Sequence, residues 1–217
     1  MTLLDRPSRL LAFALAALAG LVDATGFLHL GGFFVSFMSG NSTRLGVGLN
    51  QPGHDAARAG MLISGFLVGV MAGSLCGHHA GRRRKPAVLA LVSVLLVVAA
   101  GLGHLGASWS ASVIMASAMG AENAVFERDD DIPFGVTYMT GALVKTGQRM
   151  AKALRGGDPL AWVPYALLWL ALSSGAAIGA AAFPYLGLSL LWPAAVAFGG
   201  LAAAAALTPS SSATDRV

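Results

Sequence analysis

Long apolar blocks alternate along this chain with short clusters of charge, and the alternation predicts six hydrophobic helices. The first, 10–30, follows Asp5, Arg6 and Arg9 and is read as a membrane span rather than a cleaved leader. The second, 60–77, places Gly65, Gly69, Gly73 and Gly77 at every fourth position, a stripe of small residues against which another helix can pack closely. The cluster Arg82-Arg83-Arg84-Lys85 closes it, and 86–105, rich in valine and leucine, is the third. The fourth, 108–126, ends in Glu122 and Asn123. The fifth, 160–183, repeats the glycine spacing with Gly175 and Gly179, and a turn at 184–187 leads into the sixth, 186–207. No Asp, Glu, Lys or Arg occurs in 86–121 or in 159–214. A helix crossing a bilayer needs about 20 apolar residues, so the second of these blocks is too long for one span and right for two joined by a turn.

One stretch is written twice. VSFMSGNSTRLG at 35–46 returns as VTYMTGALVKTG at 136–147, with Met38 matching Met139, Ser39 matching Thr140, Gly40 matching Gly141 and Arg44 matching Lys145. Just upstream, Gly20, Asp23 and Ala24 match Gly120, Asn123 and Ala124, with Glu122 facing Val22. The chain therefore reads as a duplicated half, a first repeat over 9–106 and a second over 108–207, followed by a short disordered tail at 208–217.

Composition agrees with membrane residence. The 217 residues are 56% hydrophobic and 11% charged with a mean hydropathy of +0.70, against about 25% charged in an ordinary globular domain. The basic balance is not a nucleic-acid signature, because the basic residues cluster beside apolar segments. With six spans and both termini in the cytoplasm, all but Arg44 and Arg58 of the 14 basic residues fall on the cytoplasmic side, the positive-inside pattern. This count leaves 33–49 and its twin as re-entrant or interfacial elements. Three spans per half then invert the second half against the first and bring the two Met-Ser/Thr-Gly segments toward the middle from opposite faces.

The candidate chemistry follows from that arrangement. A short helix starting at Ser39 or Thr140 presents free N–H groups and the positive end of its dipole, Gly40 and Gly141 permit close backbone approach, and Arg44 or Lys145 adds charge one turn on. Such an element attracts an anion or a polar solute, with Asn41 beside it; helix capping and snorkelling of the base are the alternative. An acidic group deep in a bilayer costs about 2.5–3.5 kcal/mol on insertion scales, so Asp23 is expected to be a coupling carboxylate or solute ligand, or else to cap the re-entrant segment or pair with Arg44. Asn123 and Glu122 supply a neutral partner and a second titratable group in the other half.

Other patterns carry less. His29 and His104 stand alone, with no second ligand one turn away, so no metal site is expected, and no cofactor. Asn41-Ser42-Thr43 fits a weak glycosylation pattern, and Trp109, Trp162 and Trp192 read as interface anchors. No nucleophile with its base is visible, so the chain is not expected to be an enzyme.

At the residues just described the chain resembles the YoaK-like family of bacterial integral membrane proteins, which carry Gly-x-x-Asp-Ala early, Phe-x-Ser-x-Met-Ser/Thr-Gly-Asn soon after and a Thr-Gly element in the second half. The matching residues are 20–24, 35–41, 122–124 and Thr140-Gly141; Ala142 stands where the first copy has Asn41. The resemblance implies an inner-membrane helical protein and no substrate. Taken together, the expectation is an all-α polytopic bundle of two inverted three-helix repeats in a bacterial plasma membrane. Its expected function is secondary transport of a small polar or anionic solute, with proton coupling through Asp23; a channel and a non-transporting scaffold are the alternatives. The expected partners are the lipid bilayer, the solute and, as an option, a second copy of the chain; nucleic acid is not among them.

Overall fold

The computed structural model describes residues 6–51, 53–127 and 139–207. It contains eight α-helices and, among the described residues, no strand: α1 (Arg6–His29), α2 (Met38–Gly48), α3 (Asp55–Ala80), α4 (Arg84–His104), α5 (Ser108–Glu122), α6 (Met139–Leu154), α7 (Val163–Leu186) and α8 (Leu191–Leu207). The stretches Ser8–His29, Asp55–His104 and Val163–Leu207 are long and apolar enough to cross a membrane. The last two are 50 and 45 residues, about 75 and 68 Å as continuous helix against a hydrocarbon core of about 30 Å. Each is broken instead into two helices joined by a tight turn. The breaks are the 3-10 turns Gly81–Arg83 and Gly187–Leu190, each opening on a glycine with positive φ, +53° and +54°.

The hydrophobic segments read from the pattern are all helical, with shifted ends. Pro184, expected in a turn, lies inside α7, which runs on to Leu186. Its missing N–H removes one bond in the final turn, and the chain turns where Gly187 supplies the conformation that L-residues avoid. The fourth segment tightens after Glu122 into the 3-10 turn Asn123–Phe126.

Two pairs of helices cross at glycines, both in parallel. A Cβ placed on Gly69 of α3 would overlap the Ser117 carbonyl of α5, and one on Gly175 of α7 would overlap the Ala17 carbonyl of α1. Four residues further along the same helices, Gly73 lies against Ala121 and Gly179 against Leu21. The contact is reciprocal, because Gly120 of α5 meets Phe66 and Val70 of α3, and Gly20 of α1 meets Leu172 and Ala176 of α7. Between lipid-bathed helices there is little hydrophobic gain from association, so this close backbone packing holds the crossing together. Ser117 Oγ adds a 2.8 Å hydrogen bond to the Gly65 carbonyl.

The antiparallel pair α4 and α8 interdigitates Val88, Leu89, Val92 and Leu96 with Leu191, Ala194, Ala195 and Phe198, all buried, and Ser93 Oγ donates to the Ala195 carbonyl at 2.8 Å. The outside of the bundle is apolar: Leu67, Val68, Met71 and Leu75 on α3, Ile178 on α7 and Val196 on α8 are all exposed. A continuous exposed apolar belt suits a lipid-facing surface and not water.

Candidate functional site

After α1 the chain doubles back. Gly31 and Gly32 both hold positive φ, and residues 33–36 then run beside the last turns of α1, with Val35 against Gly26. The Asp23 carboxylate lies six residues, about 9 Å along the helix, inside the end of α1. Its Oδ1 accepts the Val35 N–H at 2.9 Å and the Ser36 N–H at 2.7 Å. Asp23 thus caps the doubled-back segment through two backbone amides. Asn41, fully buried, holds the same segment from the other side: its Oδ1 accepts the Phe34 N–H at 3.0 Å and its Nδ2 donates to the Phe34 carbonyl at 2.6 Å. A side chain committed this way does not serve as a glycan acceptor.

Helix α2 starts at Met38, one residue before the expected Ser39, with Phe37 at its cap and no side-chain capping bond. Gly40 and Asn41 donate their N–H groups to the Phe37 carbonyl, so part of the first turn is satisfied internally, and Ser39 is exposed. Arg44 turns back over the segment rather than toward Asp23. Its guanidinium sits 4.7 Å from the Phe33 ring centroid and fills the space a side chain on Gly32 would need. Phe33 meets Trp109 edge-on at 6.5 Å, and Arg58 lies 5.2 Å over the Trp109 ring. The two basic residues assigned to the outer side thus bracket one aromatic stack, each cation–π contact worth about 0.5–1 kcal/mol.

Beside this stack is a crevice of about 260 Å³ lined by His29, Ala100, Gly103, His104, Ser108, Leu188 and Ser189. The ends of α1 and α4, the start of α5 and the 3-10 turn before α8 meet there. Spacing along the chain gave no sign that His29 and His104 line one crevice; only the alternation of helix direction, which puts both helix ends on one face, could have signalled it.

At the other end of α5, Glu122 is fully buried, and neither of its carboxyl oxygens has a hydrogen-bond partner among the described residues. Asn123 donates to the Met119 carbonyl at 2.9 Å. One turn on, Arg84 pairs with Glu127 at 3.1 Å and also donates to its carbonyl, and Lys85 donates to Ser8 Oγ at 2.8 Å and lies over Phe126.

The second copy of the repeated stretch falls on α6, its first residues, 136–138, lying outside the described part. Thr140 and Lys145 are exposed, Gly141 is half-buried, and Ala142 is buried where the first copy has Asn41. Helix α6 packs on α7, as α2 packs on α3. Ser39, Gly40, Asn41 and Arg44 therefore stand at the crevice end of the bundle, whereas Thr140, Gly141 and Lys145 stand where α7 begins. The structure does not bring the two sets together. Glycines 65, 69, 73 and 77 are all buried on α3, and 175 and 179 on α7.

The apolar exterior, the long apolar helices and the polar groups folded among them define a helical integral membrane protein. Residues 11–204 match the family described as "Protein of unknown function (DUF1275)", and the chain belongs to that family. It is 38% identical over 199 residues to the UPF0700 transmembrane protein RA0705 of Rhizobium meliloti (strain 1021), covering 92% of this chain and 86% of that protein. No solved structure matches. An uncharacterised membrane family is what the resemblance to YoaK-like proteins implied.

Proposed function

We propose that the chain is a secondary transporter of a small polar or anionic solute, built from two inverted three-helix halves. In this reading α1, α3, α4, α5, α7 and α8 cross the bilayer of a bacterial plasma membrane with both termini in the cytoplasm. The observation that carries it is the pair of crossings, α3 on α5 and α7 on α1, made by corresponding glycines against corresponding carbonyls. Each half lends its third element to the first helix of the other, as expected of two copies of one unit related by a twofold axis in the membrane plane. The re-entrant segment held by Asp23 and Asn41 is the movable part, and the crevice at His29 and His104 is its approach from outside. Asp23 positions that segment through the two backbone amides it accepts, and transport depends on it.

A scaffold would leave its small-residue stripes free for a partner. Here Gly65, Gly69 and Gly73 are used on α5, and Gly175 and Gly179 on α1, within the one chain. The test is flux into liposomes loaded with a pH-sensitive dye and offered amino acids, carboxylates and phosphate in turn. A solute-dependent pH change that Asp23→Asn removes is expected; no change with any solute, or an unaltered mutant, rejects the reading.

A further inference from the structure

The bundle encloses two carboxyls and holds them differently. Asp23 is engaged by the amides of Val35 and Ser36, while Glu122 is 0% exposed with both oxygens unpartnered among the described residues. The matching place in the first half is Val22, also 0% exposed. The fold therefore fills this position with an apolar side chain equally well, and packing alone does not call for a carboxyl. An ionised carboxylate in such surroundings is strongly disfavoured unless a proton or cation joins it. A metal ion needs several donors, and the described residues contain no group of three His, Cys, Asp or Glu side chains. A proton needs one oxygen.

The partly exposed Glu127 lies five residues further along the chain than Glu122. The helix tightens after Glu122 into the turn Asn123–Phe126, and the Arg84–Glu127 pair follows, with side chains 18% and 29% exposed. The described charged and titratable groups on the helices packed against this end of α5 are Cys76, His78 and His79 of α3, Arg84 and Lys85 of α4, Arg9 of α1 next to Ser8, and Glu127 itself, with Asp23 further along α1. Arg84 is given to Glu127, Lys85 contacts Ser8 and Phe126, Asp23 holds the re-entrant segment, His79 bonds the Leu75 carbonyl, and His78 meets His79 edge-on.

We infer that Glu122 is the proton-binding carboxyl of this protein, loaded and unloaded past the Arg84–Glu127 pair. One O–H bond forms at a Glu122 carboxylate oxygen as hydronium becomes water, and the reverse step releases the proton. The inference rests on the transport reading and names its coupling group, leaving Asp23 to position the re-entrant segment.

The experiment has two arms on the full-length protein. Infrared difference spectra of reconstituted wild type across neutral pH should contain a carboxylic-acid band that persists in Asp23→Asn and is absent from Glu122→Gln and Glu122→Val. Glu122→Val should unfold at or above the wild-type temperature, whereas a purely structural carboxyl would make it unfold lower. In dye-loaded liposomes, proton uptake driven by a potassium diffusion potential should fall at least tenfold in Glu122→Gln. A band that does not change with pH, or one that survives in Glu122→Gln, overturns the inference, as does wild-type proton uptake in that variant. A titrating Glu122 band in a wild type that carries no proton or solute keeps the proton site and removes the carrier.

Discussion

Asp23 and Asn41 are the two side chains that tie a doubled-back segment to a helix, each satisfying two backbone polar groups at residues 34–36. A buried backbone amide left without its partner costs about 1–3 kcal/mol, and bonds to a charged acceptor are worth about 1.5–3 kcal/mol. Asp23→Ala and Asn41→Ala are therefore expected to lower stability by about 2–3 kcal/mol each, read as a drop in thermal unfolding temperature in detergent; values within error of wild type for both would detach the segment from these anchors. Asp23 was visible in the sequence as a costly carboxyl inside an apolar run, and so was Asn41 beside its glycine. Their partners were not, because hydrogen bonds to backbone groups leave no residue type to read. His29 and His104 were hidden for a different reason: each is isolated in its own helix, and their place on one crevice depends on the direction of the helices. The isolation of Glu122 was likewise illegible, since a carboxyl near a helix end reads as interfacial until the packing around it is known.

At the scale of helices, the glycine stripes written in the pattern did locate the crossings. The spacing of Gly65, Gly69, Gly73 and Gly77 pointed to a close neighbour without naming it; the structure supplies α5, and for Gly175 and Gly179 it supplies α1. Overpacking a tight contact costs about 1–3 kcal/mol. Gly69→Ala and Gly175→Ala are expected to destabilise by similar amounts of that order, while Gly200→Ala, with nothing within 4 Å of the added carbon, should change stability little or raise it slightly through helix propensity. Unequal losses at Gly69 and Gly175, measured by thermal unfolding under one set of conditions, would argue against equivalent crossings. Helix ends were less legible. Pro184 looked like a turn because proline usually ends helices, yet α7 continues past it to the glycine that can take the required backbone angles. Helix α6 has exposed Leu143, Met150 and Leu154 on one side and Lys145, Arg149 and Lys152 on the other, with exposed Val144 between them. Such a helix lies in the plane of an anionic membrane surface. Replacing the three basic residues together by glutamine should weaken binding of the purified protein to vesicles containing phosphatidylglycerol relative to neutral ones; equal binding to both would leave α6 without that role.

For the whole molecule, the decisive physical claim is that the second half enters the bilayer from the face opposite to the first, leaving α2 and α6 on different sides of the membrane. Asn50 follows α2 and Arg155 follows α6, and both are exposed. The most direct measurement replaces the single cysteine, Cys76→Ala, and places one new cysteine at each site in turn, Asn50→Cys or Arg155→Cys. Both are then labelled with a membrane-impermeant maleimide in intact cells and in inverted vesicles. The account predicts that Asn50→Cys is labelled only in cells and Arg155→Cys only in inverted vesicles. Labelling of both from the same side would contradict it.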